Sequence, residues 1–282
     1  MLVGLYVLAL ALRLVYLVEI QDLPTFDTSL LDEQYHLQLA RQILSGSLPA
    51  EPYFRAPLYP YFLAGIVAVT GDEVWWPRVL QIVVGAFLPV LLAYLGRKLF
   101  DWRIGIAAGV VAAMYPSFLF YEGSLLIESI MPVAIILLLV QLQRCREVGS
   151  FASFLIGGIL LGVNCLLRPN MLLFVPALLL WCWLVFNPTL GFAKALKRYL
   201  VLVFGCAITI APVTLRNYVV SGDPVLIAWQ GGINFYIGNN HNSNGWSAGV
   251  REFGSSWESL YSSPVALAEK ALGGAVAEIR CI

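Results

Sequence analysis

The densest concentration of reactive side chains in this 282-residue chain is Leu31-Asp32-Glu33-Gln34-Tyr35-His36, followed by Phe54-Arg55-Ala56-Pro57-Leu58-Tyr59-Pro60. Acids, a histidine, an arginine and aromatic rings meet there between long apolar runs. A carboxylate in such a setting can take a proton from a hydroxyl or amine nucleophile. Asp32 is the leading candidate for that base. Arginines suit a phosphate, because the guanidinium offers paired donors in a fixed fork. Glu122, Glu128, Arg168 and Arg216 also stand near the ends of apolar runs. Charges near a bilayer are costly, so they tend to be paired or functional. Together these residue types suit an anionic, lipid-linked donor and an acceptor activated by a carboxylate.

The elements that position these residues follow from composition. The chain is 60% hydrophobic and 12% charged, with mean hydropathy +0.80. Soluble domains carry about 25% charged residues, so the bilayer is the expected solvent. The 17 basic and 17 acidic residues balance, and nothing suggests a nucleic-acid face. Five widely spaced cysteines form no C-x-x-C pair and read as small buried hydrophobes.

Seven apolar runs are expected to span the membrane: 2–20, 77–97, 103–121, 124–143, 151–167, 169–187 and 199–217. The first has no basic leader and no cleavage site, and it carries Arg13 inside it, facing either the bundle interior or a headgroup. The basic groups Arg97-Lys98-Arg103, Arg144-Arg146 and Lys194-Lys197-Arg198 fall on one side of such a bundle. By the positive-inside rule that side is the cytoplasm. Residues 21–76 then form a first outer loop, and Asp32, Glu33, His36, Arg55, Glu122, Glu128, Arg168 and Arg216 all lie on the outer face. Leu58–Thr70 is too short to span and is expected to be an interfacial or re-entrant helix. Residues 31–45 read as an amphipathic surface helix, with Tyr35, Leu39 and Ile43 on one face and Ala40 and Leu44 beside it. A capping box at Ser29-x-x-Asp32 would open it and Gly46 would close it. Residues 221–257 are turn-rich, and 264–282 read as a further helix.

Each residue also has a structural reading. Asp32 suits a helix N-terminus through the dipole, and Glu122 and Glu128 suit the start of the fourth span for the same reason. Glu33 can be a structural or solvated acid, His36 a hydrogen-bonded interface residue, and Arg55 and Arg168 membrane-boundary anchors.

The order of several motifs resembles the GT-C superfamily of membrane glycosyltransferases. The similar branch is that of protein O-mannosyltransferases and aminoarabinose transferases. The motifs are Leu31-Asp32-Glu33-x-Tyr35, Ala40, Gly46, Arg55-Ala-Pro57-Leu58-Tyr59-Pro60-Tyr61, Arg97-Lys98-Leu99-Phe100, Ala113-Met-Tyr115-Pro116, Tyr121-Glu122-Gly-x-Leu-Leu-x-Glu128, Leu167-Arg168-Pro169-Asn170 and Gly238-Asn239-Asn240. The resemblance covers residues 1–250 and implies sugar transfer from a polyprenyl phosphate outside the cytoplasm. It implies that Asp32 is the catalytic acid and Glu33 its neighbour in an Asp-Glu pair. Glu122 matches a second acid, and Arg55 a position near the donor phosphate. The aminoarabinose transferases have Lys-Pro-Pro where this chain has Arg55-Ala56-Pro57. Family members usually have further spans, so a chain ending at Ile282 is expected to be truncated.

The expectation is therefore an all-α polytopic integral membrane protein, with a catalytic core over 1–217 and an outer, partial C-terminal region over 218–282. It is expected in a bacterial inner or plasma membrane as an inverting glycosyltransferase with its site outside. Asp32, Glu33 and Glu122 are the catalytic candidates. Arg55, Arg168 and Arg216 are expected at the donor phosphate, and His36, Tyr59, Glu128, Asn170 and Asn239 at substrate. A divalent cation, Mg²⁺ or Mn²⁺, would fall to Glu122 and Asp32. The partners are a polyprenyl-phosphate sugar, a protein, lipid or glycan acceptor, and membrane lipid. A transporter or flippase for an anionic or lipid-linked substrate, or an inactive fragment, are the alternatives.

Overall fold

A computed structural model describes residues 1–27, 32–239 and 243, and every regular element among them is helical. The helices are α1 (Leu2–Ile20), α2 (Pro24–Asp27), α3 (Asp32–Ser45), α4 (Leu58–Thr70), α5 (Trp75–Gly85), α6 (Phe87–Leu99), α7 (Trp102–Met114), α8 (Pro116–Gly123), α9 (Met131–Val148), α10 (Phe151–Leu167), α11 (Phe174–Leu190), α12 (Phe192–Ser221) and α13 (Gly231–Asn239). Short 3-10 turns precede α9 and α11. The chain is an all-α polytopic membrane protein.

Four segments are long and apolar enough to cross a bilayer: Leu2–Ile20, Trp75–Leu99, Pro169–Leu190 and Phe192–Ser221. The bent pair α7–α8 makes a fifth if taken as one span. Of the seven expected runs, 124–143 and 151–167 are not among these segments, and 103–121 counts only as the bent pair. The run 103–121 is bent by 49° between Met114 and Pro116, because proline has no N–H and its ring clashes with the preceding turn. The run 124–143 starts its α-helix only at Met131, with Pro132 in the first turn, and extends to Val148. α4 has 13 residues, about 20 Å of helix against a hydrocarbon core of about 30 Å.

The chain divides into two compact units. The first holds residues 1–48 and 56–212, and the second holds 49–55 with the described residues from Val213. A short piece of the first loop, residues 49–55, groups with the C-terminal part.

In the first unit, helices approach each other through small residues. A Cβ on Gly105 would lie 2.5 Å from the Ala93 carbonyl oxygen, and one on Gly158 would lie 2.0 Å from the Leu202 carbonyl oxygen. Only hydrogen at these positions lets α6 meet α7, and α10 meet α12, backbone to backbone. Surface helix α3 packs on α4 around a cluster of Leu37, Ala40, Tyr59, Leu63, Ala64, Leu125 and Leu167. Its buried face is His36, Leu37, Leu39 and Ala40, with Ile43 against the cluster. Leu44, expected beside this face, is instead exposed, because it falls past the edge of the apolar stripe. Gly46 closes α3 with φ 68°, and Ser47 N–H donates to the Gln42 carbonyl at 3.0 Å. Ser29 and the helix expected at 264–282 lie outside the described residues.

Candidate active site

The site is built around Glu122 to Leu125, where α8 ends and its last carbonyls lack a helical partner. The bend before Pro116 and the short length of α8 bring this stretch among α1, α3 and α5. Arg13 is fully buried on α1 and pairs with Glu122, its Nη2 lying 3.1 Å from Oε1 and its Nε contacting Oε2. Arg13 Nη1 also donates to the Ala9 carbonyl and, at 3.4 Å, to the Ala113 carbonyl. The second acceptor sits in the last turn of α7, where carbonyls lack a helical partner. Of the two placements open for Arg13, the structure shows the bundle interior.

The next backbone groups are held in turn. Gln81 Nε2 donates to the carbonyls of Glu122 at 3.1 Å and Ser124 at 2.9 Å. Arg78 Nε donates to the Gly123 carbonyl at 2.8 Å, with its guanidinium 4.2 Å from the Phe26 ring centroid. Leu125 N–H donates to Glu33 Oε1 at 2.8 Å. A buried backbone group without a partner costs about 1–3 kcal/mol, so this arrangement satisfies a break in the helix that lipid alone would not tolerate. Gly85 makes room for it, since a Cβ there would sit 2.3 Å from Glu122 Cδ.

Tyr59 is fully buried and donates its hydroxyl to Gln81 Oε1. Burial pushes that hydroxyl well above its ordinary pKa, so it stays protonated. His36 is also buried, and its ring stands edge-on to Tyr59 at 5.0 Å. Asp32 and Glu33 occupy the first turn of α3 and are half-buried. Glu33 reaches inward to Leu125, which fixes the helix start that carries Asp32. On the same unit Arg168 Nη2 lies 3.3 Å from Glu128 Oε1, both partly exposed. Leu167, beside Arg168, and Ile127, beside Glu128, belong to the cluster under α3. Asn170 follows and is exposed.

The residues expected to act together are therefore sorted into layers. Asp32, Arg168 and Glu128 keep access to solvent or lipid. Glu122, His36 and Tyr59 are interior. Both oxygens of Glu122 face Arg13, so it does not fit a divalent-cation site shared with Asp32. Among the described residues no group of three His, Cys, Asp or Glu side chains comes close enough to hold a metal.

In the second unit Arg216 donates to the carbonyls of Glu51 and Pro49, both at 2.6 Å, and stacks over Tyr53 at 4.2 Å. The Asn217 carboxamide accepts from Tyr53 N–H at 3.1 Å and donates to Ile227 O at 3.0 Å. Trp229 and Gln230 N–H groups donate to the Tyr53 and Phe54 carbonyls. Arg216 thus holds the segment that ends in the half-buried Arg55. Asn239 is exposed and caps its own helix through the Phe235 carbonyl.

Sequence reasoning missed Arg78 and Gln81. The signal was present: two polar residues three apart inside an apolar span share one helical face, and such residues find partners.

No curated protein and no solved structure matches the chain. A family model described as dolichyl-phosphate-mannose-protein mannosyltransferase matches residues 54–215. Asp32, Glu33 and His36 precede the matched stretch and Asn239 follows it, whereas Arg55, Tyr59, Glu122, Glu128, Arg168 and Asn170 lie inside it. With more than half of its length matched, and with the apolar helices described above, the chain belongs to the dolichyl-phosphate-mannose-protein mannosyltransferase family of membrane glycosyltransferases.

Proposed function

We propose that the chain moves a sugar from a polyprenyl-phosphate donor to a protein, lipid or glycan acceptor on the extracytoplasmic face of the membrane, with inversion at the anomeric carbon. Asp32 takes the proton of the acceptor nucleophile as it attacks that carbon. The bond from the anomeric carbon to the phosphate oxygen breaks, and the polyprenyl phosphate leaves with the electron pair. Arg168 meets the developing charge on the phosphate, where a charge-assisted hydrogen bond gains most at the transition state. Glu33 positions Asp32 through Leu125. Glu122 supports the floor beneath rather than touching substrate. Arg55 is proposed at the donor phosphate from the sequence pattern, and Arg216 as the group that holds its segment. No step needs a metal ion.

The observation that carries this reading is the anchoring of Glu33 on the Leu125 N–H. It places an adjacent carboxylate, Asp32, at the start of an amphipathic surface helix in a family of sugar transferases. The test supplies a radiolabelled polyprenyl-phosphate mannose to membranes containing the chain. Wild type is expected to transfer label, and Asp32→Asn to transfer about 100-fold less or worse. Equal transfer by the two removes Asp32 from the mechanism. An NMR assignment of the product anomer tests inversion: a product with the donor's own configuration rules out the single displacement.

A further inference from the structure

The end of the bundle away from Asp32 carries a groove of about 480 Å³. One side of α6 from Val90 to Lys98, the C-terminal half of α9 and the start of α1 form it. Its apolar wall includes the half-buried Leu2, Val90, Leu91 and Val140. Its polar rim is Lys98, Arg144 and Glu147, with Tyr94 beside them. Lys98 Nζ lies 3.1 and 3.2 Å from the two Glu147 oxygens, and its hydrogen bond holds the Glu147 carboxyl below the ordinary range. Arg144 is exposed and makes no ion pair among the described residues. The surrounding connections add Arg97, Arg103, Arg146, Lys194, Lys197 and Arg198, so eight cations here face only two acids, Asp101 and Glu147.

We propose that this groove is a binding site for an anionic glycerophospholipid of the bilayer, with Arg144 and Lys98 on the phosphodiester and the acyl chains along Leu2, Val90, Leu91 and Val140. Three observations support that occupant. An apolar cleft opening on the side of a membrane bundle is filled by lipid tails, not by water. Its polar rim carries net positive charge, and basic pockets between spanning helices select acidic headgroups. Arginine offers a phosphate a paired contact, while Lys98 retains donor capacity beyond its pair with Glu147. The polyprenyl-phosphate donor is not the occupant, because its phosphate is needed near Arg168. α9 alone separates the two ends by about 27 Å.

The test is native mass spectrometry of the full chain released from micelles, with phosphatidylglycerol and phosphatidylcholine offered as competing probes. Wild type is expected to retain phosphatidylglycerol preferentially. The K98Q/R144Q variant should lose about fivefold in affinity per cation removed. Glu147→Gln should bind more tightly, because it removes the acid that competes for Lys98. The control R103Q/K194Q removes two cations of the same collar that do not line the groove, and it should bind as wild type does. Equal loss in the control overturns the proposal in favour of diffuse attraction. Equal retention of phosphatidylcholine, or displacement of phosphatidylglycerol by polyprenyl phosphate at equal concentration, overturns it as well.

Discussion

The two ends of the helical bundle are built on opposite principles. At the basic end the helices finish cleanly. Asp101 caps α7 through the N–H groups of Arg103 and Ile104 at 2.7 and 2.9 Å, Gly149 ends α9 with φ 65°, and Ser150 caps α10. Most charge there stays on the surface, with Arg198 half-buried over Phe151, Phe154 and Phe186. At the Asp32 end the helices break: α7 bends into α8, α8 is followed by three residues outside any helix, and 3-10 turns precede α9 and α11. Charged and polar side chains there are drawn inward, as Arg13, Arg78, Gln81 and Glu122 are all buried. Local capping suffices where water is close. A break in a lipid-exposed bundle needs long-range partners, and those partners also fix the carboxylate of α3. Irregular backbone and candidate chemistry therefore coincide at one end.

The largest expected contrast separates Asp32 from the charges beneath it. Asp32→Asn should lower sugar transfer by about 100-fold or more while folded yield in membranes stays at the wild-type level. Arg13→Ala should do the reverse, costing about 3–5 kcal/mol because it strands Glu122 without its counter-ion. Thermal unfolding in micelles reads this, and the double variant R13M/E122L should recover much of the loss. If Arg13→Ala unfolds normally, the buried end is not the stability hub described. Next, Gly158→Ala should destabilise by about 1–3 kcal/mol, since the added methyl meets the Leu202 backbone and not a side chain that can move. The smallest effect belongs to the basic end. Asp101→Ala removes one exposed cap and should cost about 1 kcal/mol with sugar transfer intact. A cost at Asp101 equal to that at Arg13 would erase the distinction between the ends.

Much of the fold was legible because apolar run length and the placement of Arg and Lys are direct consequences of the bilayer. The amphipathic α3, its stop at Gly46 and the short α4 followed from helical periodicity and from glycine chemistry. The bend at Pro116 was less legible: a proline in an apolar run marks a kink, but its angle depends on what packs there. In the site, Asp32 and Glu33 stood out as acids at a helix start. The pairing of Arg13 with Glu122 did not, because the two are 109 residues apart and charge alone does not choose among several acids at span ends. Glu122 looked like a candidate reacting group because an acid in an apolar setting is costly wherever it stands. The sequence does not say whether that cost is met by substrate or by an internal arginine. Arg78 and Gln81 were hidden by the opposite effect, as polar residues inside a span that otherwise reads as uniformly apolar.

The glycine contacts of the first unit have a mechanical consequence. At Gly105 and Gly158 the paired helices meet through backbone atoms, with no rotamer between them to rearrange, which favours movement of each pair as a unit. Such packing leaves the joints between these pairs as the more compliant points. The turn at Tyr115–Pro116, bent by 49°, is one of these, and it leads through α8 into the residues that hold Glu33. Displacement of that joint would tilt the start of α3 and carry Asp32 with it, so a stiff scaffold gives the proposed base a single axis along which to approach or leave its substrate.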